Sequence, residues 1–443
     1  MNSNKIYIQT FGCQMNLNDT EIIKSIMVSS GYDFVDKIQD AGVIFINTCA
    51  VRENAESKVY HQIEDIYQKI KKRDSITVFA VLGCMAGFLG DKVFECAKVV
   101  NLVVGPDEYR KLPDLVKSCF AGENKLAVEL NVKENYDDIV PIRENGLSAW
   151  LTIMRGCNNF CSYCVVPYSR GRERSRSLGS ILEEVNYLTK EKGVKEIVLL
   201  GQNVNNYFYN NEIDFPHLLS AIAVASPDIR IRFLTSHPKN MSSELIDTIA
   251  RYENICNYVH LPVQSGSDKI LSKMNRKYTR ERYLSLIKEI KEKIADVSIS
   301  TDIIAGYPTE TLADHQLTLD LIKEVRFTSA FMFRYSPREG TKAFYEIDDV
   351  QEEEKIRRLN EIIALQNKIS TEINKTKTNL TFEVLIEGPS KKGKNQLLGK
   401  TKIFDSVVFD NIDNKYAAGD LVNVLITDGT SKTLKGIIME SSC

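Results

Sequence analysis

Cys157, Cys161 and Cys164 stand at a C-x3-C-x2-C spacing within Arg155-Gly156-Cys157-Asn158-Asn159-Phe160-Cys161-Ser162-Tyr163-Cys164, directly after the apolar run Trp150 to Met154. The number of thiols decides the chemistry. Four thiolates complete a tetrahedral zinc site or ligate every iron of a cubane cluster, whereas three leave one iron without a protein ligand. An iron left open in this way can bind a substrate. The alternative is a zinc knuckle with His237 or His260 as its fourth ligand, although short structural zinc sites usually bring two paired ligand motifs.

A second set of thiols is spread over the first hundred residues. Thr10-Phe11-Gly12-Cys13, Asn47-Thr48-Cys49 and Leu82-Gly83-Cys84 close the β-branched runs Lys5 to Gln9, Gly42 to Asn47 and Ile76 to Leu82, with cysteine intervals of 36 and 35 residues. One βα unit fits each interval. With Asn101 to Val104 as a further strand and polar helical stretches between, the alternation predicts a parallel sheet with helices on its faces. The carboxyl ends of such strands share one edge, where ligands bind. Cys13, Cys49 and Cys84 are therefore expected to converge as a second three-cysteine metal site, and Gly12 and Gly83 let the backbone turn closely there. Buried strand-end cysteines without a metal are the other reading. Cys96, Cys119, Cys256 and Cys443 read as ordinary core or surface residues.

The elements that must position these groups follow from the pattern. Residues 120 to 145 are polar and acidic, a linker or an ordered crossover. Strands recur at Leu147 to Met154, Glu196 to Leu200, Ile229 to Leu234, Tyr258 to Leu261, Val297 to Ile304 and Ala330 to Arg334, separated by helical stretches that include Leu182 to Lys192, Ser243 to Tyr252, Arg280 to Ile294 and Leu312 to Val325. Six βα repeats predict a partial (βα)6 barrel, with its chemistry at the carboxyl ends of the strands. The cysteine loop follows the first of them. Gly201, Asn203, Ser236, Gln264 and Asp302 would face the same mouth, where amides, hydroxyls and a carboxylate suit ribose and amino-acid groups. Arg170, Arg172, Arg174 and Arg176 lie just beyond the loop and read as phosphate contacts.

Gln351 to about Lys375 is a charged amphipathic helix, and short alternating runs from Asn379 predict a small β-barrel. Between its first strands, Lys391, Lys392 and Lys394 form either a solvated hairpin or a phosphate-contacting surface. The predicted fold is α/β with three domains: 1–125, a parallel-sheet domain; 143–375, the barrel; and 376–443, the small β-barrel.

Bulk properties set limits. Apolar residues make up 43% of 443 and charged residues 26%, as in globular proteins. The 57 basic against 59 acidic residues give a net charge of -2, so any nucleic-acid surface is a local patch. Neither a signal segment nor a membrane span is read, and the expected location is cytoplasmic, where ten cysteines suggest metal use over disulfides.

The motif Cys157 to Cys164 resembles the signature of the radical S-adenosylmethionine (radical SAM) enzymes. Together with Thr10-Phe11-Gly12-Cys13-Gln14-Met15-Asn16, Asn47-Thr48-Cys49-Ala50-Val51-Arg52 and Cys157 to Gly171, nearly the whole chain resembles the methylthiotransferases. Gly-Cys-Gln-Met-Asn is most similar to the MiaB type, which acts on isopentenyladenosine beside the tRNA anticodon. Gly201 to Asn205, Thr235 to Pro238, Leu261 to Ser267, Thr301 to Pro308 and Ser336 to Thr341 extend the likeness, and the last domain is similar to the RNA-binding TRAM module. Ser177 departs from a family tendency towards proline.

The resemblance implies two iron-sulfur clusters of 4Fe-4S type. Cys157, Cys161 and Cys164 would hold the one that cleaves S-adenosylmethionine, and Cys13, Cys49 and Cys84 an auxiliary one that supplies sulfur. It further implies a second S-adenosylmethionine as methyl donor, a tRNA anticodon loop as partner, an electron donor such as flavodoxin or ferredoxin, and an iron-sulfur carrier for cluster repair. Within the family, threonylcarbamoyladenosine in tRNA or an aspartate of a ribosomal protein are rival substrates. Outside it, a two-cluster electron carrier leaves both trios one ligand short, and an RNA-binding regulator accounts for the last domain only.

Overall fold

The computed structural model describes residues 3–49, 53–71, 77–143, 146–391, 393 and 395–439, so Lys392 and Lys394 lie outside the described residues. Its first unit is a sheet of β1 (Lys5–Thr10), β2 (Asp33–Phe34), β3 (Val43–Thr48), β4 (Val78–Gly83), β5 (Leu102–Val104) and β6 (Lys125–Ala127), in the order β2-β1-β3-β4-β5-β6. Every pairing is parallel. β3 and β4 are buried at each residue, as central strands covered on both faces must be. Val43 and Phe45 pack with Ile22, Ile23 and Met27 of α1 (Gln14–Ser29), while Ile44 and Ile46 turn to the opposite face against Ile63 and Ile66 of α2 (Glu53–Ile70). A third helix, α3 (Cys84–Leu89), starts directly at the end of β4.

The polar stretch after β6 is an ordered crossover. Tyr136 adopts a φ of 57°, stacks on Tyr109 with ring centroids 5.9 Å apart and carries the Arg155 guanidinium 4.7 Å above its ring. Its hydroxyl donates to Pro106 O at 2.9 Å.

Six parallel strands build the second unit: β7 (Ser148–Thr152), β8 (Glu196–Leu200), β9 (Arg230–Phe233), β10 (Tyr258–His260), β11 (Ser298–Ala305) and β12 (Ser329–Arg334). They pair in sequence order within β7-β8-β9 and β10-β11-β12, and an Ile231–Ile255 bridge joins the halves. Around them lie α4 (Leu178–Lys190), α5 (Phe215–Ala225), α6 (Ser243–Arg251), α7 (Arg280–Lys293) and α8 (Leu312–Val325). Ile197, Leu199, Ile231, Phe233, Ile299 and Ile303 pack outward into the largest core; alternate residues face the lumen. Ser177 accepts from Ser180 N at 3.2 Å and caps α4, so its departure from proline leaves the helix start intact.

Among the described residues β7 and β12 do not pair, and the first unit covers the free edge of β7. Asn18 of α1 donates to Trp150 O at 3.3 Å and accepts from Thr152 Oγ1 at 2.7 Å. Met15 packs with Trp150, Val198, Leu200 and Leu234 inside the barrel. The helix that begins after Cys13 thus also closes the barrel wall.

After α9 (Glu352–Thr376), a closed barrel is built from β13 (Thr381–Pro389), β14 (Gln396–Thr401), β15 (Ser406–Asp410), β16 (Leu421–Gly429) and β17 (Leu434–Ile438), ordered β13-β14-β15-β17-β16. It docks beneath the amino ends of β8 to β10. Arg230 donates to Lys400 O at 2.9 Å and Arg232 to Lys402 O at 3.1 Å. Phe404 lies 4.3 Å under the Arg232 guanidinium and 4.8 Å from the Tyr258 ring.

Candidate metal centres

The loop from Cys157 to Cys164 is fixed by backbone that only its own residues permit. Gly156 has a φ of 79°, and a Cβ there would lie 2.0 Å from Arg172 O; a side chain would break the crossing. Cys157 N donates to Gly171 O at 3.1 Å. From the segment after β10, Asn275 donates to Asn159 O and Phe160 O at 3.1 and 2.9 Å, and Arg276 Nη1 lies 3.4 Å from Cys161 Sγ. Burial pushes the Cys157 thiol up to about 11 and the Cys164 thiol up to about 12. Binding of a cation there would release protons, because the thiolate is the ligand.

Cys13, Cys49 and Cys84 follow β1, β3 and β4, three adjacent strands of one parallel sheet. Their carboxyl ends meet as the sequence requires. A Cβ on Gly12, at φ 128°, would lie 2.4 Å from Cys49 Cβ, and one on Gly83, at φ 91°, 2.3 Å from Asn47 Oδ1. Asn16 ties the turns together, donating to Thr48 O at 2.8 Å while its Oδ1 lies 3.4 Å from Cys13 Sγ. A hydrogen bond from Cys49 holds the Cys13 thiol down at about 6, with the charge of Arg170 acting the same way. Cys84 is pushed up to about 11 by burial, which Arg170 opposes.

The two trios are joined through a buried ion cluster. Asp19 of α1 accepts from Arg155 Nη2 at 2.7 Å and from Arg170 Nη2 at 2.6 Å, and the same Arg170 donates from Nε to Cys84 Sγ at 3.0 Å. Arg155 stands two residues before Cys157. Asp19 is fully buried, and the two guanidinium groups hold its carboxyl below the usual range despite that burial.

At the barrel mouth a cavity of about 480 Å³ is lined by Cys164, Gln264, Asp302, Ile304, Met332 and Arg334, among others. Gln264 takes a φ of 71° and donates from its backbone N to Asp302 O at 2.8 Å. Across the mouth, at the ends of β8 and β9, four buried polar atoms have no hydrogen-bond partner: Gln202 Nε2, Asn203 Oδ1, Ser236 Oγ and His237 Nε2. Such a concentration of unmet donors and acceptors fits a polar ligand. At Gly201 a Cβ would lie 2.5 Å from Met154 Cγ, so only a glycine fits this wall of the mouth without a shift.

Neither candidate zinc histidine completes a compact site. Among the described residues, the three metal-ligating groups whose donor atoms all lie within 4.8 Å of one another are Asp214, His217 and Glu244, on the surface; neither cysteine trio, with or without a histidine, is drawn that tight. A tetrahedral zinc needs all its ligands about 2.0–2.3 Å from one ion, whereas a cubane spreads its thiolates over separate irons. The described cysteines form no disulfide, and three thiols at each site fit a cluster with one iron left open. His237 Nδ1 accepts from Lys239 N at 3.1 Å, and burial, with Arg276 and Lys239 nearby, holds this ring neutral, its pKa lowered to about 2. His260 bonds Ser300 Oγ at 2.8 Å and stands 3.5 Å from Asp302.

The arginine loop is corrected by the structure. Arg170 is bound to Asp19, Arg174 forms a two-pronged pair with Asp107 at 2.8 and 2.9 Å, and Arg176 pairs with Glu184 at 2.6 Å. All three are buried and hold the first unit, the crossover and the barrel together, so they present no guanidinium to an RNA phosphate. Arg172 alone of the four is exposed, 4.4 Å over the Phe160 ring. Lys391 is exposed at the tip between β13 and β14. Sequence reasoning missed Asp19, Arg155, Asn16 and Gln202; the available signal was a lone carboxylate on the apolar side of α1 and an arginine inside an apolar strand run.

Comparison with known proteins agrees with this construction. Residues 151–322 match the Radical SAM superfamily, and residues 5–105 match a family described as uncharacterized protein family UPF0004. A tRNA-2-methylthio-N(6)-dimethylallyladenosine synthase of Phocaeicola vulgatus is 50% identical over 438 residues, covering 98% of this chain and 95% of the relative. One of Chloroherpeton thalassium is 50% identical over 434 residues, with the same coverage. Among solved structures, the radical S-adenosylmethionine methyltransferase TsrM of Kitasatospora setae, with cobalamin and a [4Fe-4S] cluster bound, superposes with a TM-score of 0.59 at 15% identity, over 77% of each chain. That likeness concerns the fold. The chain belongs to the tRNA-2-methylthio-N(6)-dimethylallyladenosine synthase family of radical SAM methylthiotransferases.

Proposed function

We propose that the chain methylthiolates C2 of N6-isopentenyladenosine next to the anticodon of tRNA. The observation that carries this reading is the pair of three-thiol centres, built by two different units and joined through Asp19 beside one open barrel mouth. An adenine C2–H is neither acidic nor open to an ordinary nucleophile, so acid–base residues alone leave it intact. When bound, the two 4Fe-4S clusters and S-adenosylmethionine supply the radical, sulfur and methyl chemistry that such a carbon needs.

In this reading Cys157, Cys161 and Cys164 hold the cluster that leaves one iron to S-adenosylmethionine, and Cys13, Cys49 and Cys84 hold the auxiliary one. Asn203 and Ser236 offer their unpartnered oxygens to the amino-acid or ribose groups of S-adenosylmethionine. Gln264 and Asp302 line the cavity on the other side, His260 orients Asp302 from below, and Ile304 and Met332 keep that wall dry. Gly201 keeps its wall of the mouth narrow. The target base must leave its stack to enter, which costs less in an anticodon loop than in a duplex. Arg172 and the Lys391, Lys392 and Lys394 tip of a TRAM-like barrel are the proposed phosphate contacts. A flavodoxin or ferredoxin as electron donor, an iron-sulfur carrier for repair and a cytoplasmic location complete the proposal; among the described residues no helix is long and apolar enough to cross a membrane.

The trios are assigned by a triple substitution. With Cys157, Cys161 and Cys164 all changed to Ala, dithionite-reduced protein should form no 5′-deoxyadenosine while keeping the iron of the auxiliary centre. Continued formation of 5′-deoxyadenosine would reverse the assignment.

A further inference from the structure

Arg170 follows the cysteine loop of the barrel yet places its guanidinium inside the other centre. It is 3% exposed. Its Nε donates to Cys84 Sγ at 3.0 Å and its Nη2 to Asp19 at 2.6 Å, so one edge of the planar fork is committed and the plane is fixed. Nη1 is buried without any partner. A buried guanidinium N–H left unmet is costly unless something absent from the bare chain accepts it.

Charge points to what that is. Asp19 with Arg155 and Arg170 forms a buried island of one carboxylate and two guanidinium groups, a net single positive charge. A three-thiolate cubane in its oxidised form carries a net single negative charge, so the island balances it. Beside the sulfides that the cubane itself holds, the open iron can take an exogenous sulfur. That sulfur arrives as an anion, hydrosulfide or a small thiolate, and would be unbalanced in a buried site.

We propose that Arg170 is the anion-holding residue of the auxiliary centre, its Nη1–H donating to the non-cysteine sulfur on the open iron beside Cys84. The inference rests on the assignment of Cys13, Cys49 and Cys84 to the auxiliary cluster. It makes the barrel unit a contributor to the sulfur site: the residue that steadies the transferable sulfur comes from the segment just beyond the radical cluster's own ligands. Asp19 acts one step removed, as a positioning residue that keeps the fork in plane.

The test uses the full chain with Cys157, Cys161 and Cys164 changed to Ala, reconstituted so that only the auxiliary cluster is present. Methanethiolate is titrated in, and its binding is read from the perturbation of the cluster's visible and electron paramagnetic resonance spectra. Arg170→Gln should keep the cluster iron and weaken methanethiolate binding at least tenfold. Arg170→Lys, which keeps the charge and loses the fork, should fall between the two. Unchanged affinity in both variants, with the parent binding normally, overturns the inference and leaves the cluster assignment standing. Failure of the parent itself to bind methanethiolate overturns the assignment and the inference with it. Should the Gln variant assemble no cluster, the Lys variant decides: parental affinity refutes the role of the fork, weakened affinity supports it.

Discussion

Cys13, Cys49 and Cys84 share a site but differ as nucleophiles. Cys13 is exposed and held at about 6 by Cys49 and Arg170, whereas Cys84 is buried and pushed up to about 11. A lowered thiol pKa means more thiolate at a given pH, and the thiolate is the reactive form. In metal-free protein, iodoacetamide should therefore modify Cys13 ahead of Cys49 and Cys84 at pH 7, at a rate that rises through about pH 6 and then levels. Equal modification of the three, read by peptide mass spectrometry, would contradict this electrostatic account. The two cysteine trios were legible because spacing and strand-end position are properties of the chain itself. Asp19 and Arg155 were not, because a single charge on a helix or strand reads as solvated until its partner, more than a hundred residues away, is placed beside it. Arg170, Arg174 and Arg176 were misread because their acidic partners Asp19, Asp107 and Glu184, near or far in sequence, sit in other elements.

At the scale of elements, the first site depends on how tightly β1, β3 and β4 end. Gly83 has a φ of 91° and no room for a Cβ beside Asn47 and Thr48. Gly83→Ala should cost about 1–3 kcal/mol through backbone strain alone and displace Cys84. Anaerobic reconstitution should then yield roughly half the parental iron, the loss falling on the auxiliary centre, while 5′-deoxyadenosine formation persists. Full iron content in this variant would show that the turn tolerates a side chain. Period-2 and βα alternation made β1, β3, β4, β5 and all six barrel strands visible, since each lies in a short run of apolar and β-branched residues or of apolar residues alternating with polar ones. β2 and β6 escaped notice because two- and three-residue edge strands show no period. β14 escaped because Gly399 breaks its alternation, and the reason is close approach: a Cβ there would lie 2.5 Å from Leu385 O.

At the scale of the whole molecule, the two ends of the barrel do different work. The mouth carries the thiols and the cavity, while the small barrel is clamped at the opposite end by Arg230, Arg232 and Phe404. A strand of five residues spans on the order of 16 Å, so an RNA touching both must run along the outside of the barrel. Lys391, Lys392 and Lys394 changed together to Ala should weaken tRNA binding and reduce the slope of log affinity against log salt by about 0.7–0.9 per lost contact. S-adenosylmethionine cleavage without RNA should be unaltered, and an unchanged slope would place the phosphate surface elsewhere. The covering of β7 by α1 and the sharing of Asp19 between the two cysteine trios arise only when two units close on each other, which no local pattern of the chain announces. In the proposed function the barrel centre forms the radical and the first unit's centre supplies sulfur, so losing the latter should separate the two reactions. Reduced full chain with Cys13, Cys49 and Cys84 all changed to Ala is given S-adenosylmethionine and tRNA carrying isopentenyladenosine, and the products are analysed by mass spectrometry. The expected products are 5′-deoxyadenosine and unmodified isopentenyladenosine, where the parent yields the 2-methylthio derivative. Methylthiolated nucleoside from the triple variant would contradict that reading.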